Sequence, residues 1–433
     1  MEVKEKKQHV DIDYTFERVP DENRKGFWAM FVIMLGFTFF SASMWTGVTL
    51  ANGLDFKGFI LAVLLGGLFL AVYTGFLGFV GAKTGLNFDL LCRRVYGSEG
   101  SKLPSAMIAL TQIGWTGVGF AMFAYPLADV FGWQGEGMIW LMTIIIGILI
   151  TTSAYFGVKG LEIVSWVSVP LIAILGTYAM VKAAVDGGGF TAVFAKSAGN
   201  LTIIEGAGLV IGSFVSGGTA TPNFTRFSKQ KPAVVTTVIA FFIGNTLMFF
   251  FGGVAGAFTG QNDIFYVMAA MGLMLPAILV LGANIWTTND NGLYTGGLGL
   301  SNIFSFIKIK GQPIRKRPWV LIAGVIAIVT AIWLYNNFCN WLNILNCTLP
   351  PIGALIIVDF FRYKKDYMRD DVEIKKVRWW RIIAEVFGSL TGMLFGGFLV
   401  PGFSWGIPAI FAMIVALVVY FIGEAVTGKK AEA

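Results

Sequence analysis

Apolar stretches of about 20 residues, each long enough to cross the hydrocarbon core of a bilayer, recur along almost all of this 433-residue chain. A backbone in hydrocarbon has to satisfy its own hydrogen bonds, which leaves helices or a closed barrel. The runs are continuous and do not alternate apolar with polar residues, so helices are predicted. Composition agrees with this reading, with 56% hydrophobic residues, 13% charged residues and a mean hydropathy of +0.73. A soluble domain carries ~25% charged residues, so this chain lacks the polar surface to face water on all sides.

Twelve apolar segments are predicted, at 27–52, 58–82, 102–131, 137–158, 161–184, 201–224, 232–258, 274–305, 318–336, 337–362, 379–399 and 403–426. The first run is too long for the core of a cleaved signal and lacks a small-residue cleavage site, so it is expected to remain as a membrane helix. An even number of crossings puts both termini on one side. If that side is cytoplasmic, 29 of the 32 Lys and Arg residues lie inside, and only Lys57, Lys182 and Lys196 lie outside. One missed helix would invert every later loop and destroy this asymmetry, which is the signature of a correctly oriented membrane protein. The net charge of +7 is thereby explained by topology, and a nucleic-acid partner is not required.

Catalysis has little to build on. The cysteines Cys92, Cys339 and Cys347 form no CxxC pair, and the single histidine, His9, lies in the polar tail. Neither a zinc site nor a Ser-His-Asp site is expected, and no cofactor.

Two segments read poorly as continuous helices. GFTFFSASMWTG (36–47) and GLVIGSFVSGGTATP (208–222) place Ser, Gly and Thr in mid-membrane, and Pro222 removes a backbone donor. Interrupted helices at matching places in two five-helix halves mark an inverted-repeat transporter. Small residues also let helices pack closely, so each cluster taken alone has that second reading.

Three constellations could carry function. Trp115 in TQIGWTGVGF (111–120) lies deep in the membrane, although tryptophan favours the interfaces. Either it packs, or it is a stacking plate for a flat ligand. Gln112 shares its helix face and presents a donor and an acceptor side by side. Phe214, between Ser213 and Ser216, could supply a second ring, but it is one of 39 phenylalanines. In LGANIWTTNDNGLY (281–294), Asn284, Thr287 and Thr288 share a face and make a neutral oxygen half-site suited to a hard cation. Back-bonding to their own helix is the other reading of the threonines. Asp290 follows, a possible proton carrier facing the bundle interior. Asp359, Glu205 and Glu424 read as interfacial and structural, and TLPPIG (348–353) as a kink.

From about Gly26 to Gly428 the chain resembles the bacterial cytosine permeases of the nucleobase–cation symporter family. The matching runs are FFSASMWTG (39–47), GFVGAKTGL (78–86), GWTGVG (114–119), FFIGNTLMF (241–249), NIWTTNDN (284–291) and WLYNNF (333–338). The resemblance implies an all-α integral membrane protein of twelve transmembrane helices, with a leucine-transporter-type 5+5 inverted repeat plus two extra helices. On that plan 1–25 is a cytoplasmic tail, 26–185 the first repeat, 200–363 the second, 378–426 the last two helices and 427–433 a short cytoplasmic tail. It further implies sodium-coupled import of cytosine across the bacterial inner (plasma) membrane, with no obligatory protein partner. Carried over residue by residue, Trp115 and Phe214 would sandwich the base, and Gln112, Ser213, Ser216 and Asn289 would meet its edge. Sodium would be held by the carbonyls of Gly36, Phe39 and Asn284 and the hydroxyls of Thr287 and Thr288. At Thr221–Asn223 the sequence reads TPN where the pattern suggests an acidic residue, which puts gating contacts at that end of the sixth helix in question. Other readings are a carrier of uracil, a hydantoin or a purine, a proton-driven carrier using Asp290, and, more remotely, a channel.

Overall fold

The first apolar run folds as two helices, α1 (Phe27–Thr38) and α2 (Ser41–Gly53), bent by 52° at Phe39 and Phe40. The computed structural model describes residues 13–431 except 134, 262, 338–343, 345, 346, 401, 402 and 404. His9 and Cys339 lie outside the described residues. After α2 come α3 (Phe56–Thr84), the short α4 (Phe88–Tyr96), α5 (Lys102–Val130), α6 (Glu136–Tyr155), α7 (Val158–Asp186) and α8 (Phe190–Val193). The second half holds α9 (Ile203–Thr219), α10 (Pro222–Thr225), α11 (Gln230–Val238), α12 (Asn245–Thr259), α13 (Ile264–Ala270), α14 (Met274–Ile303), α15 (Lys316–Asn336) and α16 (Pro350–Arg362). It is followed by α17 (Lys364–Tyr367), α18 (Trp379–Phe395) and α19 (Pro408–Ala431).

Among the described residues, eight helical spans and the bent α1–α2 pair are long and apolar enough to cross a membrane. Three further predicted spans are shorter or more polar. Helix α14 has 30 residues but carries the polar run Thr287–Asn291, α18 has 17 residues, and α16 has 13. Much of the predicted span before α16 lies outside the described residues. At TLPPIG the helix is interrupted at Leu349, between helical Cys347–Thr348 and α16, and Pro350 and Pro351 occupy the first turn of α16, where a missing amide is harmless.

The break between α1 and α2 is stitched to α14. The freed amide of Ser41 donates to Asn284 Oδ1, and the Thr288 hydroxyl donates to the Phe39 carbonyl at 3.2 Å. Side chains thus replace the lost backbone partners, as non-helical backbone at membrane depth requires.

The sixth span departs from expectation. The Ser-Gly run stays helical through Thr219, so Phe214 does not sit in an interruption. The break falls at Ala220–Thr221, just before Pro222. In the run, Ser213 returns its hydroxyl to Val210 O at 2.9 Å, and a Cβ at Gly217 or Gly218 would meet Phe37 and Phe214, or Thr74. Here the small residues serve packing. A π-helical turn, Ile239–Gly244, joins α11 to α12 in one 30-residue span.

The described part of the polar segment before α1, from Asp13 onward, is tied to the bundle. Arg226, fully buried after α10, donates to the carbonyls of Asp13 and Tyr14 and to the Tyr294 hydroxyl at 2.7–2.8 Å. Asp13 pairs with Lys316 at 3.0 Å, both side chains being buried. Arg18 reaches the carbonyls of Thr84 and Tyr367 and the Asp370 carboxylate. Asn223, in the TPN run, accepts from the Phe88 amide at 2.9 Å and donates to Thr295. No carboxylate is needed there, since the lock at this end is made by Asn223 and Arg226. This end is the face rich in Lys and Arg.

On the same face a second network holds α4. Arg93 donates to Asn302, which donates to Ser105, whose hydroxyl donates to Asp89. Burial pushes the Asp89 carboxyl up to about 6, against the opposing pull of the Ser105 hydrogen bond and of nearby Arg93 and Arg226. Because the folded state holds this proton more tightly than the unfolded chain, its stabilising effect is complete below about pH 4 and is lost as pH rises through 6. Asp89→Asn is expected to remove that part of the pH dependence, up to ~3 kcal/mol, read as a flatter melting temperature between pH 4 and 7.

Asp359, buried, takes hydrogen bonds from Arg381 at 2.7 Å, Tyr367 at 2.7 Å and Tyr420 at 2.8 Å, and Arg381 also meets Glu424 at 3.0 Å. This cluster fastens α18 and α19 to α16. Glu205 closes a capping box with Thr202 at the start of α9.

Candidate substrate pocket and cation cluster

Close approach of α5 and α14 builds the pocket. A Cβ on Gly119 would lie 2.3 Å from the Asn289 amide, and one on Gly292 would lie 2.5 Å from the Thr116 hydroxyl. With glycine at both places the helices meet, and Asn289 donates to the Thr116 carbonyl at 3.3 Å. Helix α9 approaches from the other side and presents Ser213, Phe214 and Ser216.

All six residues singled out for substrate, Gln112, Trp115, Ser213, Phe214, Ser216 and Asn289, line one cavity, together with Phe37, Phe40, Thr116, Gly217, Thr288 and Gly292. The cavity is about 20 Å³, space for a single water molecule. Trp115 donates from its indole nitrogen to Ser216 Oγ at 3.3 Å. The Gln112 amide nitrogen is buried and has no partner, so a donor stands available at the pocket wall.

The aromatic wall differs from the expected pair. Phe40 stands edge-on to Trp115, with centroids 5.3 Å apart at 75°, and edge-on to Phe214 at 6.5 Å and 89°. Phe40 was not picked out from the sequence, where only the carbonyl of its neighbour Phe39 was. Its extended backbone, φ −126° and ψ 133°, turns the ring into the pocket, and the helix break was the signal that could have found it. Phe214 also packs edge-on against Phe37 and Phe241.

The residues predicted for a cation lie beside this pocket. Thr288 spans to the Phe39 carbonyl, while Thr287 returns its hydroxyl to the carbonyls of Ala283 and Asn284, both at 3.1 Å. A Cβ built on Gly36 would lie 3.6 Å from Thr287 Cβ, which places Gly36 against the same face of α14. The set is carbonyls and hydroxyls without formal charge, a donor type suited to a hard cation of low charge. Asp290 is turned elsewhere. Its carboxylate accepts from Ser153 and Asn291, and Ser153 in turn accepts from Trp286.

An aromatic, polar-edged pocket at a helix break, enclosed by membrane-spanning helices, is the kind of site that membrane transporters carry. A family model described as a permease for cytosine/purines, uracil, thiamine and allantoin matches residues 18–423, and the chain belongs to that family. It is 44% identical over 385 residues to the cytosine permease of Escherichia coli K12, covering 88% of this chain and 89% of that one. Its fold is similar to Mhp1, a nucleobase-cation-symport-1 family transporter in a closed conformation with bromovinylhydantoin bound, at TM-score 0.76, 18% identity and 94% coverage of both chains. A Na+-coupled sialic acid symporter in an outward-open state aligns at TM-score 0.73 and 14% identity, covering 97% of this chain and 93% of that one. The architecture is the inverted repeat with two following helices expected from the sequence.

Proposed function

We propose that this protein imports cytosine by sodium symport through alternating access, with both termini cytoplasmic in a bacterial inner membrane. The observation that carries the reading is the convergence of Gln112, Trp115, Ser213, Phe214, Ser216 and Asn289 on one cavity beside a cluster of uncharged oxygen donors. Similarity to a cytosine permease over most of the chain favours cytosine among flat heterocycles.

Cytosine is neutral, and the pocket lining contains no charged side chain. The base stacks on Trp115, with Phe40 and Phe214 as the other aromatic walls. Gln112 supplies a donor to the ring edge. Asn289 commits its nitrogen to the Thr116 carbonyl, which fixes its orientation and leaves its oxygen as an acceptor. An acceptor suits the exocyclic amine of cytosine and opposes the carbonyl of uracil at that place, a discrimination a freely turning amide could not make.

The Gly36, Phe39 and Asn284 carbonyls and the Thr287 and Thr288 hydroxyls hold sodium, which joins the broken first span to α14. Entry of one charge down the membrane potential contributes ~2.3 kcal/mol per 100 mV. The broken span, α3, α9–α10 and α11–α12 then rock against the remaining helices.

Labelled cytosine uptake into proteoliposomes, with and without an inward sodium gradient and with unlabelled uracil as competitor, tests this. Sodium-driven accumulation that uracil leaves intact is the expected result. Accumulation driven equally by a proton gradient without sodium would overturn the cation assignment and turn attention to Asp290. Gln112→Ala is expected to weaken binding of cytosine and its analogues alike by about tenfold, the worth of one hydrogen bond, in equilibrium binding to the purified protein.

A further inference from the structure

Ser165, on α7, is fully buried, and its hydroxyl has no hydrogen-bond partner. Among the described residues, Ser41, Ser43, Thr237 and Thr246 are the other buried hydroxyls in that state. Serine and threonine in membrane helices satisfy themselves by donating to a carbonyl one turn back, and Thr38, Thr74, Thr116, Thr151, Ser213 and Thr287 all do so here. The orphan oxygen is not remote. A Cβ built on Gly36 would fall 2.5 Å from Ser165 Oγ and 3.6 Å from Thr287 Cβ. Ser165 therefore faces α1 at the residue whose carbonyl the cation reading uses, level with the threonine that α14 contributes.

Packing alone would be served better by alanine, because a buried hydroxyl without a partner is destabilising by about 1–3 kcal/mol. A cation between Gly36 and Thr287 would give that oxygen a partner, and the hydroxyl brings no charge to a set that otherwise has none. We infer that Ser165 is a further ligand of the transported cation, supplied by α7, so that the ion is gripped by α1, α14 and α7 together. This rests on the proposed sodium symport and extends its binding site to a third helix.

The test uses sodium binding without transport. The purified protein is melted in detergent over a sodium titration with choline replacing sodium, with no cytosine present, for wild type, Ser165→Ala, Ser165→Cys and Thr288→Ala. The expected result is a half-saturating sodium concentration raised about three- to tenfold in both Ser165 variants, the effect of losing one ligand. Cysteine matches the size of serine but is a poor sodium ligand, so it separates lost ligation from lost packing should alanine disturb the fold. Unchanged sodium dependence in both Ser165 variants, with a raised midpoint in Thr288→Ala, overturns the role of Ser165 and leaves the five-residue cation site standing. No stabilisation of wild type by sodium at any concentration overturns the sodium site and Ser165 with it.

Discussion

Replacing Trp115 with alanine is expected to lower cytosine affinity by about one to two orders of magnitude, from the ~1–3 kcal/mol that base–aromatic stacking contributes per base. Two further effects act in the same direction. The indole nitrogen holds Ser216 at 3.3 Å, so the variant frees a hydroxyl at the pocket edge, and Phe40, now edge-on to the indole at 5.3 Å, loses its support. Trp115→Phe keeps a ring but not the hydrogen bond, and is expected to fall between wild type and alanine. Isothermal titration with cytosine, in sodium, ranks the three. Wild-type affinity in Trp115→Ala would remove stacking from the account of this pocket.

Arg226→Met is expected to produce the largest loss of stability of any single change on the basic face. Three of the guanidinium's contacts, the carbonyls of Asp13 and Tyr14 and the hydroxyl of Tyr294, come from parts of the chain remote in sequence. Methionine matches much of its bulk and none of its donors, removing a donor from several buried acceptors at ~1–3 kcal/mol each. The melting temperature in detergent should fall by several degrees, and Arg226→Lys, with a charge but a poorer fan of donors, should recover part of it. A melting curve unchanged in Arg226→Met would mean that the segment before α1 is not held by this residue.

The membrane spans were legible because hydrocarbon imposes so strict a rule on backbone and side chain alike. The bend at Phe39–Phe40 was legible as a poor helix for the same reason. Position 208–222 was read in part only, since Gly and Ser signal close packing as readily as unwinding, and Pro222 placed the break at the run's far end. Trp115, Gln112 and Phe214 were legible from helical spacing and position, which are local properties, whereas the roles of Ser213, Ser216 and Asn289 came from the family resemblance; all six line one cavity. Phe40 escaped because its direction depends on two dihedral angles at the break. Ser165 escaped because its neighbour is on another helix, 129 positions away in a chain read one window at a time. The polar stretch before α1 was assigned to a tail, yet Asp13, Thr15 and Val19 are buried. The Asp13 carboxylate meets Lys316, and the carbonyls of Asp13 and Tyr14 meet Arg226, partners that no local window contains.

Phe39 and Phe40 are consecutive residues of one hinge. On the proposed mechanism the first offers its carbonyl to sodium and the second its ring to the substrate, so the residues that would hold the two ligands are joined by one peptide bond. No long-range pathway through the protein is required for each to sense the other. Thermodynamic reciprocity then sets a strict condition: the factor by which sodium tightens cytosine must equal the factor by which cytosine tightens sodium.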